Sequence, residues 1–160
     1  MSPELFQKYH PFLDNRTSCS LGHQHELGCW LWDFLEGYLL DTQLITKKLG
    51  EYVMTYHEAA ILAYLNGRGG APKLHCANIR TGVLVMEFIN DPTLEDFFIF
   101  GTLSYDRWLK VLVAVAERLQ EVHEAGIVHN DFKLDNCLVS FNYGECNAHI
   151  IDFGLSGKIG

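Results

Sequence analysis

The hydrophobic and polar positions divide the chain into a strand-rich first part and a helical middle. Between residues 20 and 49, short apolar stretches are broken by glycines, a pattern typical of a meander of strands. Val53–Leu65 carries apolar side chains at helical spacing, and the glycine-rich stretch Asn66–Pro72 ends that predicted helix. Residues 1–18 show no clear period, and we expect them to form a lead-in segment.

The second half of the chain alternates between strand and helix patterns. Thr93 and Ser104 are suitable N-caps for a short helix and for a long helix that stops at Gly126. The pattern first predicts a β-hairpin of strands 73–77 and 83–88. The short helix at 93–98 and the long helix at 105–125 follow, and a final pair of strands is predicted at 137–139 and 149–151. This order of elements predicts an α+β fold.

The long predicted helix, 105–125, carries apolar residues on every side. A helix of this kind belongs inside a larger core, yet only about 35 residues follow it in the chain. We therefore expect the chain alone to leave one apolar face of this helix uncovered. An exposed face of that kind favours association with a partner or with further copies of the chain.

Composition and charge exclude several classes of function. The 160 residues contain 12 Lys and Arg against 20 Asp and Glu, which gives a net charge of −8. An acidic chain without a basic run is a poor binder of nucleic acid or of an anionic membrane surface. The longest apolar run, Val111 to Ala116, is too short to cross a bilayer. The N-terminus shows no secretory pattern and the five cysteines form no framework, so we expect reduced thiols and a cytoplasmic location.

The densest polar cluster follows the long helix. Asp131, Lys133 and Asn136 lie within six residues, and Asp152 stands at the end of a later apolar run. The oxygens of Asn136 and Asp152 are suited to Mg²⁺, Asp131 to accepting a proton from a hydroxyl, and Lys133 to neutralising a transferring phosphoryl group. The alternative interpretation is an ordinary polar loop between two strands.

From about Leu21 onward, the chain resembles the first part of a protein kinase domain. Residues 129–136, His-Asn-Asp-Phe-Lys-Leu-Asp-Asn, match the catalytic-loop pattern of that family, and Asp-Phe-Gly stands at 152–154. The resemblance implies that Asp131 is the catalytic base, that Asn136 and Asp152 hold Mg²⁺, and that Lys133 contacts the γ-phosphate of ATP. Lysine two places after the base is the serine/threonine-kinase form.

The same resemblance assigns the rest of an ATP site and two lobes. Glu58 corresponds to the ion-pair acid of the first helix, Met86 to the gatekeeper, and the backbone from Glu87 to Ile89 to the segment that meets adenine. It implies a β-rich N-lobe with one long helix over 19–89 and the first part of a helical C-lobe over 90–160.

The glycine loop departs from the family pattern, and the sequence offers two candidates for the strand lysine. Gly22 and Gly28 bound the expected glycine loop, but its middle glycine is missing and the loop is one residue longer. Lys47 and Lys48 are both candidates for the lysine that pairs with Glu58. We favour Lys47, because Lys-Lys-Leu with the first lysine catalytic is a familiar form. The alternative is that both are solvated lysines near a turn.

Asn130 stands where the family has an arginine before the catalytic aspartate. That arginine normally docks a phosphate on the activation loop. The resemblance therefore implies that this chain is not controlled by such a phosphorylation.

A zinc site is a competing hypothesis for residues 19–29. Cys19, His23, His25 and Cys29 supply four possible ligands within eleven residues. Their spacing matches no common zinc module and overlaps the expected glycine loop, so we expect no stoichiometric zinc.

The leading hypothesis is a domain that binds MgATP and phosphorylates Ser or Thr hydroxyls of proteins. Two alternatives keep the fold: a small-molecule phosphotransferase of the aminoglycoside or choline kinase type, and a non-catalytic, kinase-like regulator of a partner kinase. Six residues follow Asp-Phe-Gly, so we expect the chain to be a fragment or a natural truncation with weak activity alone.

Overall fold

The computed structural model describes residues 44–49, 52–101 and 103–159, and its architecture is α+β, as the sequence predicts. The first part contains three strands and one helix. The strands are β1 at Leu44–Lys48, β2 at Leu74–Asn78 and β3 at Val83–Glu87, and helix α1 is Tyr52–Leu65. Helices α2 and α3 follow at Leu94–Phe100 and Tyr105–Glu124. The later strands β4 to β7 are Ile127–Val128, Cys137–Asn142, Glu145–Ile150 and Gly157–Lys158.

The first three strands form an antiparallel sheet with β3 in the centre. Buried Leu84 and Met86 alternate along β3 and pack in a core shared with α1. Helix α1 is buried along most of its length, which its alanines permit because small side chains let neighbouring elements approach closely. The predicted hairpin is therefore confirmed, with each strand one residue away from its expected bounds.

Helix α2 begins at the predicted cap. The Thr93 hydroxyl accepts a hydrogen bond from the backbone N–H of Asp96 at 3.1 Å, and the Asp96 carboxylate accepts one from the Thr93 N–H at 2.9 Å. This reciprocal capping box satisfies two backbone donors at the start of the helix. The helix continues two residues beyond the predicted end, to Phe100, and stops at Gly101 in the left-handed conformation with φ 58°.

Helix α3 is covered by the described cores on one side only. Its buried stripe of Val111, Ala114, Val115 and Val122 packs into the two described cores, whereas the opposite side of the helix is exposed. The exposed side chains include Leu109, Leu112 and Val113. The helix thus has an uncovered apolar face within the described structure, as expected. None of the described helices has both the length and the apolar character needed to cross a bilayer.

The hairpin of β5 and β6 brings the ends of two polar segments together. Cys137 pairs with Ile150, and the N–H of Ile151 donates to the carbonyl of Asn136 at 3.0 Å. Asn136 and Asp152 therefore lie at the same end of this hairpin. Strand β5 continues three residues past its predicted end, whereas β6 begins four residues before its predicted start and ends one residue before its predicted end. The short antiparallel pairing of β4 with β7 was not predicted, because two-residue strands carry no readable alternation.

Candidate active site

A cavity of about 430 Å³ lies between the three-stranded sheet and the end of the β5–β6 hairpin. Helix α1, the segment after β3 and the two polar segments described above all contribute to its walls. Seven of the residues singled out in the sequence line it, namely Lys47, Glu58, Met86, Glu87, Ile89, Asn136 and Asp152. Asp131 and Lys133 lie beside this group through their contacts with Asn136 and with each other.

Lys47 is the centre of the cavity's charged groups. Its Nζ atom lies 2.9 Å from Glu58 Oε1 and 2.6 Å from Asp152 Oδ1. Strand pairing places Lys47 opposite Leu84, with its side chain toward α1 and the cavity. Successive side chains of a strand point to opposite faces, and Lys48 is accordingly exposed. The structure thus pairs Glu58 with Lys47, the favoured one of the two candidates.

Burial and ion pairing shift the pKa values of all three groups. Burial lowers the pKa of Lys47, but its hydrogen bonds to Asp152 and Glu58 outweigh burial and leave the pKa raised. Burial raises the pKa of Glu58, and the ammonium of Lys47 offsets this only in part. Burial also opposes the charge of Asp152, yet its hydrogen bond with Lys47 leaves the pKa of this carboxyl lowered. Asp152 is therefore held as an anion at neutral pH.

The second oxygen of Glu58 lies close to Gly154. Glu58 is 1% exposed, and its Oε2 atom has no hydrogen-bond partner among the described residues. A Cβ atom at Gly154 would lie 3.6 Å from this oxygen and 3.4 Å from Asp152 Oδ1. A Cβ atom at this position would therefore stand in ordinary van der Waals contact with both carboxylates.

The polar loop before β5 carries the remaining charged groups. Asn136 Nδ2 donates to the Asp131 carbonyl at 2.9 Å and to Asp131 Oδ2 at 3.2 Å. Lys133 Nζ lies 3.5 Å from Asp131 Oδ2 and 3.3 Å from Asp135 Oδ2. The hydrogen bond to Asp135, together with the charge of Asp131, raises the pKa of Lys133. An anionic side chain and a permanent cation thus lie side by side at this edge of the cavity.

His129 supports this loop from the core, a role that sequence reasoning did not assign. Its Nε2 atom is 2.9 Å from the Ile151 carbonyl, and its Nδ1 atom accepts from the N–H of Asp131 at 3.3 Å. A carbonyl can only accept, so this geometry fits a proton on Nε2. The ring also packs on Phe153 with centroids 4.8 Å apart. Its position two residues before Asp131 was the only signal in the sequence.

The end of β3 and the segment after it form another wall of the cavity. Met86 is buried and lines the cavity, and the N–H of Glu87 donates to the Lys73 carbonyl at 2.9 Å. The N–H of Glu87 is therefore occupied by the protein itself.

The donors in the cavity fit a hard divalent cation. Asp152 offers a carboxylate, and Asn136 uses its amide nitrogen toward Asp131, which leaves the amide oxygen as a ligand. Oxygen donors of these two kinds suit Mg²⁺. The described residues contain no cluster of three or more His, Cys, Asp or Glu suited to a metal.

Other predicted positions lie outside the described residues. They are Gly22 and Gly28 of the expected glycine loop and the possible zinc ligands Cys19, His23, His25 and Cys29. Both hypotheses about this stretch stay predictions. Within the described part, Cys137 is a buried thiol whose pKa is raised to about 11 by burial and by the charge of Asp135, so it is not a nucleophile at neutral pH.

Comparison with known proteins identifies a family model for this chain. The model described as "Protein kinase domain" matches residues 75–160. "Serine/threonine-protein kinase pkn2" of Myxococcus xanthus is 36% identical over 73 residues, which cover 46% of this chain and 9% of that protein. "Probable serine/threonine-protein kinase fnkB" of Dictyostelium discoideum is 33% identical over 82 residues, 51% of this chain and 15% of that protein. The chain thus corresponds to a small part of either relative.

A solved structure has the same fold. The kinase PK-1 of Cydia pomonella Granulovirus superposes with a TM-score of 0.59 at 24% identity. The match covers 73% of this chain and 44% of the viral one. At this identity, the similarity concerns the fold alone.

Proposed function

The chain belongs to the protein kinase family, and we propose on that basis that it binds MgATP and transfers the γ-phosphate to Ser or Thr hydroxyls of proteins. The observation that carries this proposal is the position of Lys47 Nζ, within 2.9 Å of Glu58 and 2.6 Å of Asp152. A lysine held by one buried acid and one exposed acid, in an open cavity, is arranged to receive phosphates.

The chain's own residues supply the positioning that phosphoryl transfer requires. Mg²⁺, when bound, offsets the charge of the phosphate groups, and Asn136 and Asp152 are the residues that would hold it. Glu58 fixes the direction of the Lys47 side chain, and Lys47 binds phosphate oxygens. Since phosphoryl transfer depends mostly on positioning and electrostatic stabilisation, these contacts account for much of the expected rate.

Asp131 and Lys133 are assigned to the acceptor side of the reaction. Asp131 accepts the proton of the attacking hydroxyl, and its hydrogen bond from Asn136 keeps the carboxylate at a fixed position. Lys133, at 3.5 Å from Asp131, neutralises the transferring phosphoryl group. The contacts with Asp135 and Asp131 raise the pKa of Lys133, which favours its cationic form.

The adenine ring is assigned to the wall formed by Met86 and the segment that follows it. Because the N–H of Glu87 already donates to Lys73, adenine recognition falls to the Glu87 carbonyl and to the backbone of Ile89. The proposal also places the boundary between the N-lobe and the C-lobe between residues 89 and 90.

The experiment that tests the proposal measures transfer of labelled phosphate from γ-labelled ATP to dephosphorylated casein. Acid hydrolysis of the product identifies the modified residue, and a reaction with excess EDTA serves as the metal-free control. Labelled phosphoserine or phosphothreonine that requires Mg²⁺ supports the proposal. Label transferred only to choline or an aminoglycoside, or MgATP binding with no transfer to any acceptor, overturns it in favour of one of the alternative functions.

A further inference from the structure

A second cavity, of about 360 Å³, lies between helix α3 and the tip of the β5–β6 hairpin. It is lined by residues of α3 between 109 and 117 and by residues 144–146, and we call it the hairpin cavity. It shares no lining residue with the active-site cavity. Strand β5 runs from Cys137, next to the active site, to Asn142 at the hairpin tip, a distance of about 17 Å along the strand.

The walls of the hairpin cavity are fixed to each other by two hydrogen bonds. Lys110 Nζ donates to the Gly144 carbonyl at 2.7 Å, and Arg118 Nε donates to the Ala148 carbonyl at 3.1 Å. A cavity that is already formed in the free protein loses little conformational freedom when a ligand enters it. Preformed cavities of a few hundred Å³ are typical of ligand sites.

The hairpin cavity combines an apolar surface with unpaired negative charge. Its apolar lining residues are Leu109, Val113, Ala114 and Cys146. Glu117 and Glu145 are exposed and line the same cavity, and neither carboxylate has an ion pair or a hydrogen bond among the described residues. The cation of the cavity, Lys110, is already bound to a backbone carbonyl. The charge left free is therefore negative, and its natural complement is a basic group attached to an apolar body.

Tyr143 stands beside the hairpin cavity at an unfavourable position of the turn. Asn142 pairs with Glu145, so Tyr143 and Gly144 form a two-residue turn, in which φ is 52° and 86°. Such turns favour asparagine followed by glycine, because a bulky side chain is strained in the left-handed region. Tyr143 is fully exposed and gains no contact with the described residues in return. An exposed aromatic residue that is kept at a strained position is expected where a partner binds.

We propose that the hairpin cavity docks an extended segment of a partner protein in which basic and apolar side chains alternate. The apolar side chains enter the cavity, the basic ones pair with Glu117 and Glu145, and Tyr143 packs against the segment. A peptide fits better than a small molecule, because the exposed apolar surface continues beyond the cavity to Leu112 on α3. The inference goes beyond the proposed function and does not depend on it, since the two cavities share no residue.

The test measures, by fluorescence anisotropy, the binding of a labelled synthetic peptide of alternating arginine and leucine to the full chain. Two further peptides are controls, one with glutamate in place of arginine and one with serine in place of leucine. We expect only the arginine–leucine peptide to bind, and its affinity to fall as salt is added, since the ion pairs are exposed. Titrations are made at protein concentrations at which sedimentation shows a monomer.

Three variants separate this site from general attraction between a basic peptide and an acidic chain. Glu117→Gln combined with Glu145→Gln should lower the affinity about tenfold, which is the worth of two exposed ion pairs. Glu95→Gln combined with Glu124→Gln removes the same charge from other exposed positions and should bind like the parent. Tyr143→Asn should lower the affinity about fivefold without lowering the melting temperature, because asparagine suits the turn.

Each other outcome contradicts the site or identifies another occupant. Equal loss of affinity in both double variants overturns the proposal, as does unchanged affinity in Glu117→Gln with Glu145→Gln. Displacement of the peptide by MgATP overturns it too, because the peptide would then lie in the active-site cavity. A parent that binds no peptide, and whose self-association is lost in the same double variant, has a second copy of the chain as the occupant instead. A parent that binds the peptide but not MgATP supports this site and rejects the proposed function.

Discussion

Lys47 and Asp152 are 105 positions apart in the chain, and their side chains meet at 2.6 Å. The same ammonium contacts Glu58, so one cation joins the first sheet, helix α1 and the end of β6. Glu58 is buried and Asp152 is partly exposed, which gives the two contacts different energetic roles. The contact with Glu58 compensates a buried charge, whereas the contact with Asp152 lowers the pKa of that carboxyl.

Lys47→Met should destabilise the protein most at neutral pH. Loss of the ammonium leaves the buried Glu58 carboxylate without compensation, and we expect a cost of about 2 kcal/mol in the free energy of unfolding, discounted because Lys47 is partly exposed. The pKa of Glu58 is already raised, and it should rise further in the variant. Urea unfolding at pH 7 and pH 4 measures the difference.

The sign of the pH effect follows from the two carboxyl groups. Protonation of Glu58 as pH falls through its raised pKa removes the buried charge that penalises the variant. The lowered pKa of Asp152 contributes stability to the parent above the ordinary value of 3.8, and that contribution is lost as pH falls further. Both effects make the difference in the free energy of unfolding between parent and Lys47→Met smaller in acid. A difference that grows in acid would contradict this account. Lys48→Met, at the exposed neighbour, is the matched control.

Asp152→Asn should abolish Mg²⁺-dependent ATP binding. The amide cannot supply the anionic ligand that the lowered pKa of Asp152 secures, and it also weakens the contact with Lys47. Isothermal titration with MgATP, compared with ATP plus EDTA, measures the effect. Asp106→Asn, an exposed aspartate of α3, should titrate like the parent. Equal MgATP binding by parent and Asp152→Asn would refute the assigned metal ligand.

Asp131→Asn should separate phosphoryl transfer from nucleotide binding. The new amide oxygen can still accept the hydrogen bond from Asn136, so the loop should keep its shape. It cannot accept the hydroxyl proton, and we expect the rate of transfer to fall by about 10²–10⁴-fold. Single-turnover kinetics with a protein acceptor, paired with MgATP titration, checks both parts. A loss of affinity as large as the loss of rate would place Asp131 in nucleotide binding instead.

Substitution on the exposed side of helix α3 should reduce self-association. Val113 is 59% exposed and lies on the apolar face that includes Leu109 and Leu112, and an apolar face of this kind favours association. Val113→Gln should lower the average mass in sedimentation at high protein concentration. Val53→Gln, at a valine of α1 that is 61% exposed, is the control. Equal association of both variants and the parent would show that this face of α3 is not involved.

The sequence by itself determined the α+β order of elements and the polar loop of the candidate site. These features depend on interactions between near neighbours, as in the capping box of Thr93 and Asp96 or the spacing of Asp131, Lys133 and Asn136. Strong local signals of this kind define helices and turns to within one or two residues. Short strands such as β4 and β7 give no such signal and were missed.

Only the tertiary structure decided which lysine meets Glu58, because the answer depends on strand register. Pairing of Lys47 with Leu84 turns Lys47 toward the cavity and Lys48 to the other face, and a shift of one residue would exchange them. The hydrogen bonds that Asn130 makes with Leu155 and His57 makes with Ser156 were likewise invisible in the sequence, since their donors and acceptors lie 25 and 99 positions apart. Local patterns specify the elements, whereas contacts between distant residues arise only when the elements pack in one register.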